Sequence, residues 1–121
     1  MRKISLLLLV VLFSGAAVGQ LAHTDWKGTF QAPDSVELVL HFKADTLLVN
    51  TPDSQTIEIM QFSVHNDTLA LRKIAGQSDC MDNSDALYQF ELKEDSLFIK
   101  VLRDDCDQRA SAWPLKGLTR L

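Results

Sequence analysis

"ALYQFELKEDSLFIKV", residues 86 to 101, decides the fold. Ala86, Tyr88, Phe90 and Leu92 share one parity and Leu87, Gln89, Glu91 and Lys93 the other. That period of two belongs to a half-buried strand and not to a helix. Glu94 and Asp95 interrupt the alternation, and a second apolar run opens at Leu97. An aspartate followed by Ser or Thr is turn chemistry, because its carboxylate accepts nearby backbone N–H groups. The stretch therefore predicts two antiparallel strands joined by a tight turn. The same phrase recurs as "ADTLLV" at 44 to 49 and "NDTLAL" at 66 to 71. Each follows its own alternating run, "VELVLHFK" at 36 to 43 and "TIEIMQFSVH" at 56 to 65, so three hairpins stand in series. The turn phrase also accounts for "NDT" at 66 to 68, which is formally a glycosylation acceptor.

A first strand at "WKGTFQ", 26 to 31, and a short last one near "GLTRL", 117 to 121, bring the count to about eight. The span "DQRASAWPLKG", 107 to 117, has room for one helical turn before Pro114 stops it. Eight consecutive antiparallel strands most economically form an up-and-down barrel, since closure removes exposed edges. A two-sheet sandwich is the alternative. One run breaks phase: Ile57 and Ile59 oppose Phe62 and Val64 unless a residue is skipped near Met60 and Gln61. A bulge there restores the alternation and bends the strand. The predicted lumen then contains Leu40, Phe42, Ile59, Tyr88, Phe90 and Ile99 among other bulky residues. An eight-stranded barrel is at the size where side chains either fill the lumen or leave room for one small ligand. Side chains this large favour a filled one.

The chain opens with Arg2 and Lys3, an apolar run from Ile4 to Phe13, and small residues ending at Gly19. This is the pattern of a secretory signal peptide over residues 1–19. The run is shorter than the roughly 20 residues a membrane span requires. The expected exported chain, 20–121, is long enough for one domain, with no membrane span after cleavage, and lies in the periplasm or the medium. Losing Arg2 and Lys3 takes the formal charge from −4 to −6. Such a chain repels phosphate backbones, and no basic face points to nucleic acid. Its two cysteines, Cys80 and Cys106, both fall in the exported part and most simply pair with each other in an oxidising compartment. Asp104, Asp105 and Asp107 around Cys106 disfavour a reactive thiolate through like-charge repulsion.

Trp26 and Gly28, the three Asp-Thr/Ser-Leu hairpins, Cys80 ahead of Tyr88 and Phe90, and Asp104-x-Cys106-x-x-Arg109 occur in that order along the chain. In this arrangement the chain resembles the compact bacterial lipocalin-like domains over nearly its whole exported length. It departs from the classical lipocalin motif at Thr24, where that motif has glycine. The resemblance implies a calyx-like barrel with a small apolar ligand. It also implies a barrel end closed by Trp26 under an arginine from late in the chain, Arg109 or Arg120. A guanidinium over an indole contributes roughly 0.5 to 2 kcal/mol.

If Cys80 meets Cys106, then Asp79, Asp82, Asp85, Asp104, Asp105 and Asp107 gather at one end. Carboxylates in such a rim suit Ca²⁺, although no calcium-loop spacing is present and no metal site is expected. His41 and His65 meet only if their strands are neighbours, and no third ligand is spaced to join them. There is no Gly-rich phosphate loop, no partnered serine and no separable carboxylate pair, so neither a catalytic site nor a cofactor is expected. Three functions follow as expectations: carriage of a small apolar ligand; docking onto an exported protein, as protease-inhibitor barrels do, through "QLAHTDW" at 20 to 26; and calcium binding at the acidic rim.

Overall fold

The computed structural model describes residues 20–121, so the expected signal peptide lies outside the described residues. The chain forms eight antiparallel strands in an up-and-down order that closes on itself as a barrel. They are β1 (Thr24–Gln31), β2 (Ser35–Phe42), β3 (Thr46–Asn50), β4 (Thr56–His65), β5 (Thr68–Gly76), β6 (Asp85–Lys93), β7 (Ser96–Asp104) and β8 (Leu118–Arg120). One helical turn, α1 (Asp107–Ala110), follows β7. The sandwich alternative is thereby excluded. Among the described residues no helix is long and apolar enough to cross a membrane.

The recurring turn phrase does more than reverse the chain. Asn66 and Glu94 each take φ of 56°, the left-handed region that opens a tight two-residue hairpin turn. The aspartate of each phrase then offers its carbonyl to a later strand. Phe62 N–H donates to Asp45 O, Phe90 N–H to Asp67 O and Arg120 N–H to Asp95 O, at 2.8 to 2.9 Å. Each hairpin is in this way stitched to the next, and the repetition in sequence reflects a repeated hydrogen bond.

This end of the barrel is packed solid. Trp26, Phe42, Leu47, Leu69, Leu97 and Leu118 are all buried to 1 % exposure or less, and Phe42 meets Phe62 edge to face at 5.0 Å. Trp26 pairs with Arg120 across β1 and β8, and the Arg120 guanidinium lies 4.7 Å from the indole centroid. Of the two arginines expected over Trp26, Arg120 occupies the place; Arg109 does not, for it is bound elsewhere. Thr24, the departure from the classical motif, accepts the Trp26 indole N–H at 2.8 Å and passes its own hydroxyl hydrogen to Leu21 O at 2.6 Å. At Gly28 an added Cβ would lie 2.5 Å from Leu118 Cδ2, so glycine permits the close approach of β1 to the last strand.

Closure through β8 is brief. It pairs with β1 only at Trp26 and Lys27, and with β7 only at Ser96 and Leu97. Farther along, residues 107–117 bridge β1 and β7. Gln31 N–H donates to Ala112 O at 3.0 Å, and the Trp113 ring sits 5.4 Å from Phe30 and 5.1 Å from Tyr88. This half is therefore spanned by an irregular segment instead of a ladder.

Strand β4 corrects the expected phase. No residue of β4 is skipped near Met60 and Gln61: Glu58, Met60 and Phe62 are buried in unbroken alternation and Val64 continues their parity, while the bulge that β4 does carry lies at Ile57, between Glu58 opposite Val49 and Thr56 opposite Asn50. An irregularity does fall beside Met60, but its extra residue is Ile74 on β5, between Ala75 opposite Ile59 and Lys73 opposite Met60. Ile59 therefore does not belong to the lumen. It is half-buried on the outer face opposite Leu48, and the position assigned to it inside is held by Glu58 and Met60.

Candidate functional site

The end opposite the aspartate turns is hollow. A cavity of about 300 Å³ lies there, walled by Phe30, Leu38, Leu40, Val49, Met60 and Trp113. Ile57 and Ala112 complete its apolar lining, while the exposed Gln77, Asp79 and Gln108 stand at its mouth. The expectation of a filled lumen therefore holds for one half of the barrel and fails for the other. Of the predicted lumen residues, Leu40 lines the cavity, whereas Phe42, Tyr88 and Phe90 are buried in the packed interior. Ile99, opposite Phe90 across the ladder, is half-buried against the core beside the segment that bridges β1 and β7.

Two polar groups break the apolar wall, Arg109 and Glu58. Arg109 reaches inward from α1. Its Nε and Nη2 donate to the two oxygens of Asp104 at 2.9 and 2.7 Å, a bidentate pair. Asp104 also accepts the Tyr88 hydroxyl and, at 2.8 Å, the Cys106 N–H. Burial pushes the Asp104 carboxyl up, but the bonds from Arg109, Tyr88 and Cys106 outweigh it and hold the group below the usual carboxylate range. Burial chiefly, then the bond to Asp104, raises the Tyr88 phenol well above its ordinary value. The network is buried between β6, β7 and α1 and fixes the guanidinium at the cavity wall.

Glu58 belongs to a second network. Lys73, 3 % exposed, extends its ammonium to Cys80 O at 2.6 Å, Ser78 O at 3.1 Å and Ser78 Oγ at 3.2 Å. Ser78 Oγ in turn donates to Glu58 Oε2 at 2.6 Å, and the ammonium stands 3.6 Å from the same oxygen. A buried charge is tolerated only when paired and hydrogen-bonded, and both conditions are met here. The result is that the segment 77–80 is tied down over the mouth.

The disulfide completes this fastening. Cys80 and Cys106 are bonded, with Cα atoms 5.5 Å apart. Beside it Asp79 N–H donates to Gln108 Oε1 at 3.2 Å. The two lips of the cavity, residues 77–80 and α1, are joined covalently. Comparison with protein-family profiles, curated proteins and solved structures finds no match.

The other predicted site residues are dispersed. Of the six aspartates expected at the rim, Asp104 is spent on Arg109 and Asp85 on Arg72 at 2.8 Å. Asp105 accepts the Asp85 N–H, and Asp79, Asp82 and Asp107 are exposed. Among the described residues no three histidine, cysteine, aspartate or glutamate side chains converge on a metal position. His41 and His65 lie on β2 and β4, which β3 separates, and His41 Nδ1 instead meets Asp25 Oδ1 at 2.7 Å. The N-terminal segment is not a free arm, because Leu21 and Trp26 within it are wholly buried in the barrel.

Proposed function

We infer that this is an exported, non-enzymatic, lipocalin-like barrel that holds one small, largely apolar molecule in the cavity at its fastened end. The observation that carries the reading is the contrast between the two halves of one interior. One half is packed to exclusion of solvent, while the other leaves about 300 Å³ open among apolar side chains. That volume stands at the lower bound of small-molecule sites, which span roughly 300 to 1,000 Å³. The disulfide supports export, since such bonds persist in oxidising compartments. Arg109 and Glu58, the ionisable groups inside the mouth, are each held by an opposite charge, which suits binding better than proton transfer.

Native mass spectrometry of the protein purified gently from its own host tests the reading. A mass excess that disappears on unfolding is expected, and it should also disappear in Ala112→Phe, which places a ring in the cavity. A bare polypeptide mass, together with failure of small hydrocarbons and lactones to bind, would remove it.

A further inference from the structure

The chemistry of the cavity wall specifies the ligand further, on the reading of the cavity as a ligand site. We propose that the ligand is an uncharged apolar molecule whose one polar feature is a carbonyl oxygen, received by Arg109. A guanidinium carries five N–H donors. At Arg109 the Nε and Nη2 edge is occupied by Asp104, but Nη1 meets only the thioether Sδ of Met60, at 3.8 Å. The side chain is 9 % exposed, so an acceptor for Nη1 has to enter from the cavity. Arg109 and Met60 both line the cavity. The strongest donor on the wall thus has an unfilled position beside the open volume.

A second donor on the same wall is also unfilled. The Trp113 indole N–H is buried with no hydrogen-bond acceptor. The neighbouring Tyr88 hydroxyl donates to Asp104, and its oxygen, though close to the indole N–H, lies outside hydrogen-bonding geometry for it. Buried donors are rarely left without partners, and where they are, an unseen partner is a standard reason. Both orphans are donors, so the missing partner is an acceptor.

Charge balance decides against an anion. The Arg109 charge is matched at two points by Asp104, and the other ionisable groups that line the cavity are both carboxylates, Glu58, matched by Lys73, and Asp79 at the mouth. A ligand carboxylate would add an unbalanced charge to an apolar cavity and would share it with Glu58. A carbonyl oxygen takes up the Nη1 donor without that cost. The volume sets the size. A cavity of about 150 Å³ holds benzene, so one twice as large accepts roughly ten to fifteen non-hydrogen atoms. A medium-chain lactone or ketone has this composition.

Equilibrium dialysis of the intact oxidised protein against three ten-carbon probes at neutral pH provides the test: γ-decalactone, the hydrocarbon butylcyclohexane, and decanoate. The lactone is expected to bind about tenfold more tightly than the hydrocarbon, the worth of one hydrogen bond from a charged donor, and decanoate more weakly than the lactone. Arg109→Lys keeps a cation opposite Asp104 but withdraws Nη1. It should reduce lactone affinity to within about threefold of that of the hydrocarbon, the remainder being the share of the Trp113 N–H. Trp113→Phe, which keeps an aromatic ring between Phe30 and Tyr88, is the second variant and should cost the lactone alone about threefold. Equal binding of lactone and hydrocarbon, or tightest binding of decanoate, overturns the carbonyl assignment while leaving the cavity reading intact. Binding of none of the three overturns both.

Discussion

Replacing Cys80 and Cys106 by alanine together removes the covalent fastening between the segment over the cavity mouth and α1. The cystine closes a loop with a sequence separation of 26. In the chain-entropy description, a loop of that length restricts the unfolded chain by about 3.5 kcal/mol. A smaller contribution comes from the folded side. Cys80 O is the nearest acceptor of the Lys73 ammonium, at 2.6 Å, so freeing residue 80 loosens the pairing with Glu58. The total loss should lie between about 3.5 and 5 kcal/mol. Urea unfolding followed by tryptophan fluorescence measures it. With a slope near 1.5 kcal/mol per M, the midpoint should fall by about 2 to 3 M. Reduction of the unaltered protein should reproduce the fall. A loss below about 1 kcal/mol would show that the polar networks alone hold the lips together, and would refute the fastening argument.

Three further outcomes follow from the interior. Lys73→Met should cost about 3 to 5 kcal/mol in urea unfolding, because it leaves the Glu58 carboxylate buried without its cation; adding Glu58→Leu should restore most of the loss. The Tyr88–Asp104–Arg109 network should limit stability at both ends of the pH scale. Asp104 is depressed in the folded state, so its contribution is present above the unfolded carboxylate value and is lost as pH falls through the folded one. The Tyr88 phenol is raised, so its contribution is present below the ordinary phenol value and is lost as pH rises toward the folded one. Asp104→Asn should flatten the acid limb of the stability profile, and Tyr88→Phe the alkaline limb, as read from thermal midpoints across pH. Finally, Gly76→Ala should destabilise by about 1 to 3 kcal/mol in the same unfolding assay, since φ is +148° and the added Cβ would fall 2.1 Å from Glu58 Oε1.

The barrel was legible because its strands obey a period of two and its turns repeat. Tyr88 and Phe90 face inward as their parity requires, and the three Asp-Thr/Ser-Leu phrases mark the turns of one end. The cysteines were legible because two thiols in a chain expected to be exported have only each other. What misled was the treatment of charge as an outward signal. Glu58 lies in phase with Met60, Phe62 and Val64, and Lys73 in phase with Leu69 and Leu71. Reading both periods without interruption places a carboxylate and an ammonium inside on neighbouring strands, which is the observed pair. Taking Ile57 and Ile59 as lumen residues instead required a bulge near Met60 and Gln61 and left Glu58 facing outward. The hollow half was not legible, because it depends on where the β1–β8 and β7–β8 ladders stop, and ladder length across the closure leaves no periodic trace. Arg109 could not be separated from Arg120 for a related reason. Their roles are set by register: Arg120 is the cross-strand partner of Trp26, while Arg109 lies five residues beyond Asp104 on a helical turn that folds back over it.

On the proposed reading the interior is closed at one end and receives a small molecule at the other. Methyl-resolved NMR of the oxidised protein, titrated with γ-decalactone, addresses it most directly. Saturable shifts are expected at Leu38, Leu40, Val49, Ile57 and Met60, which line the cavity, with Leu69, Leu97 and Leu118 at the packed end unmoved. Shifts that never saturate, or that fall equally on the methyls around Trp26, would contradict it.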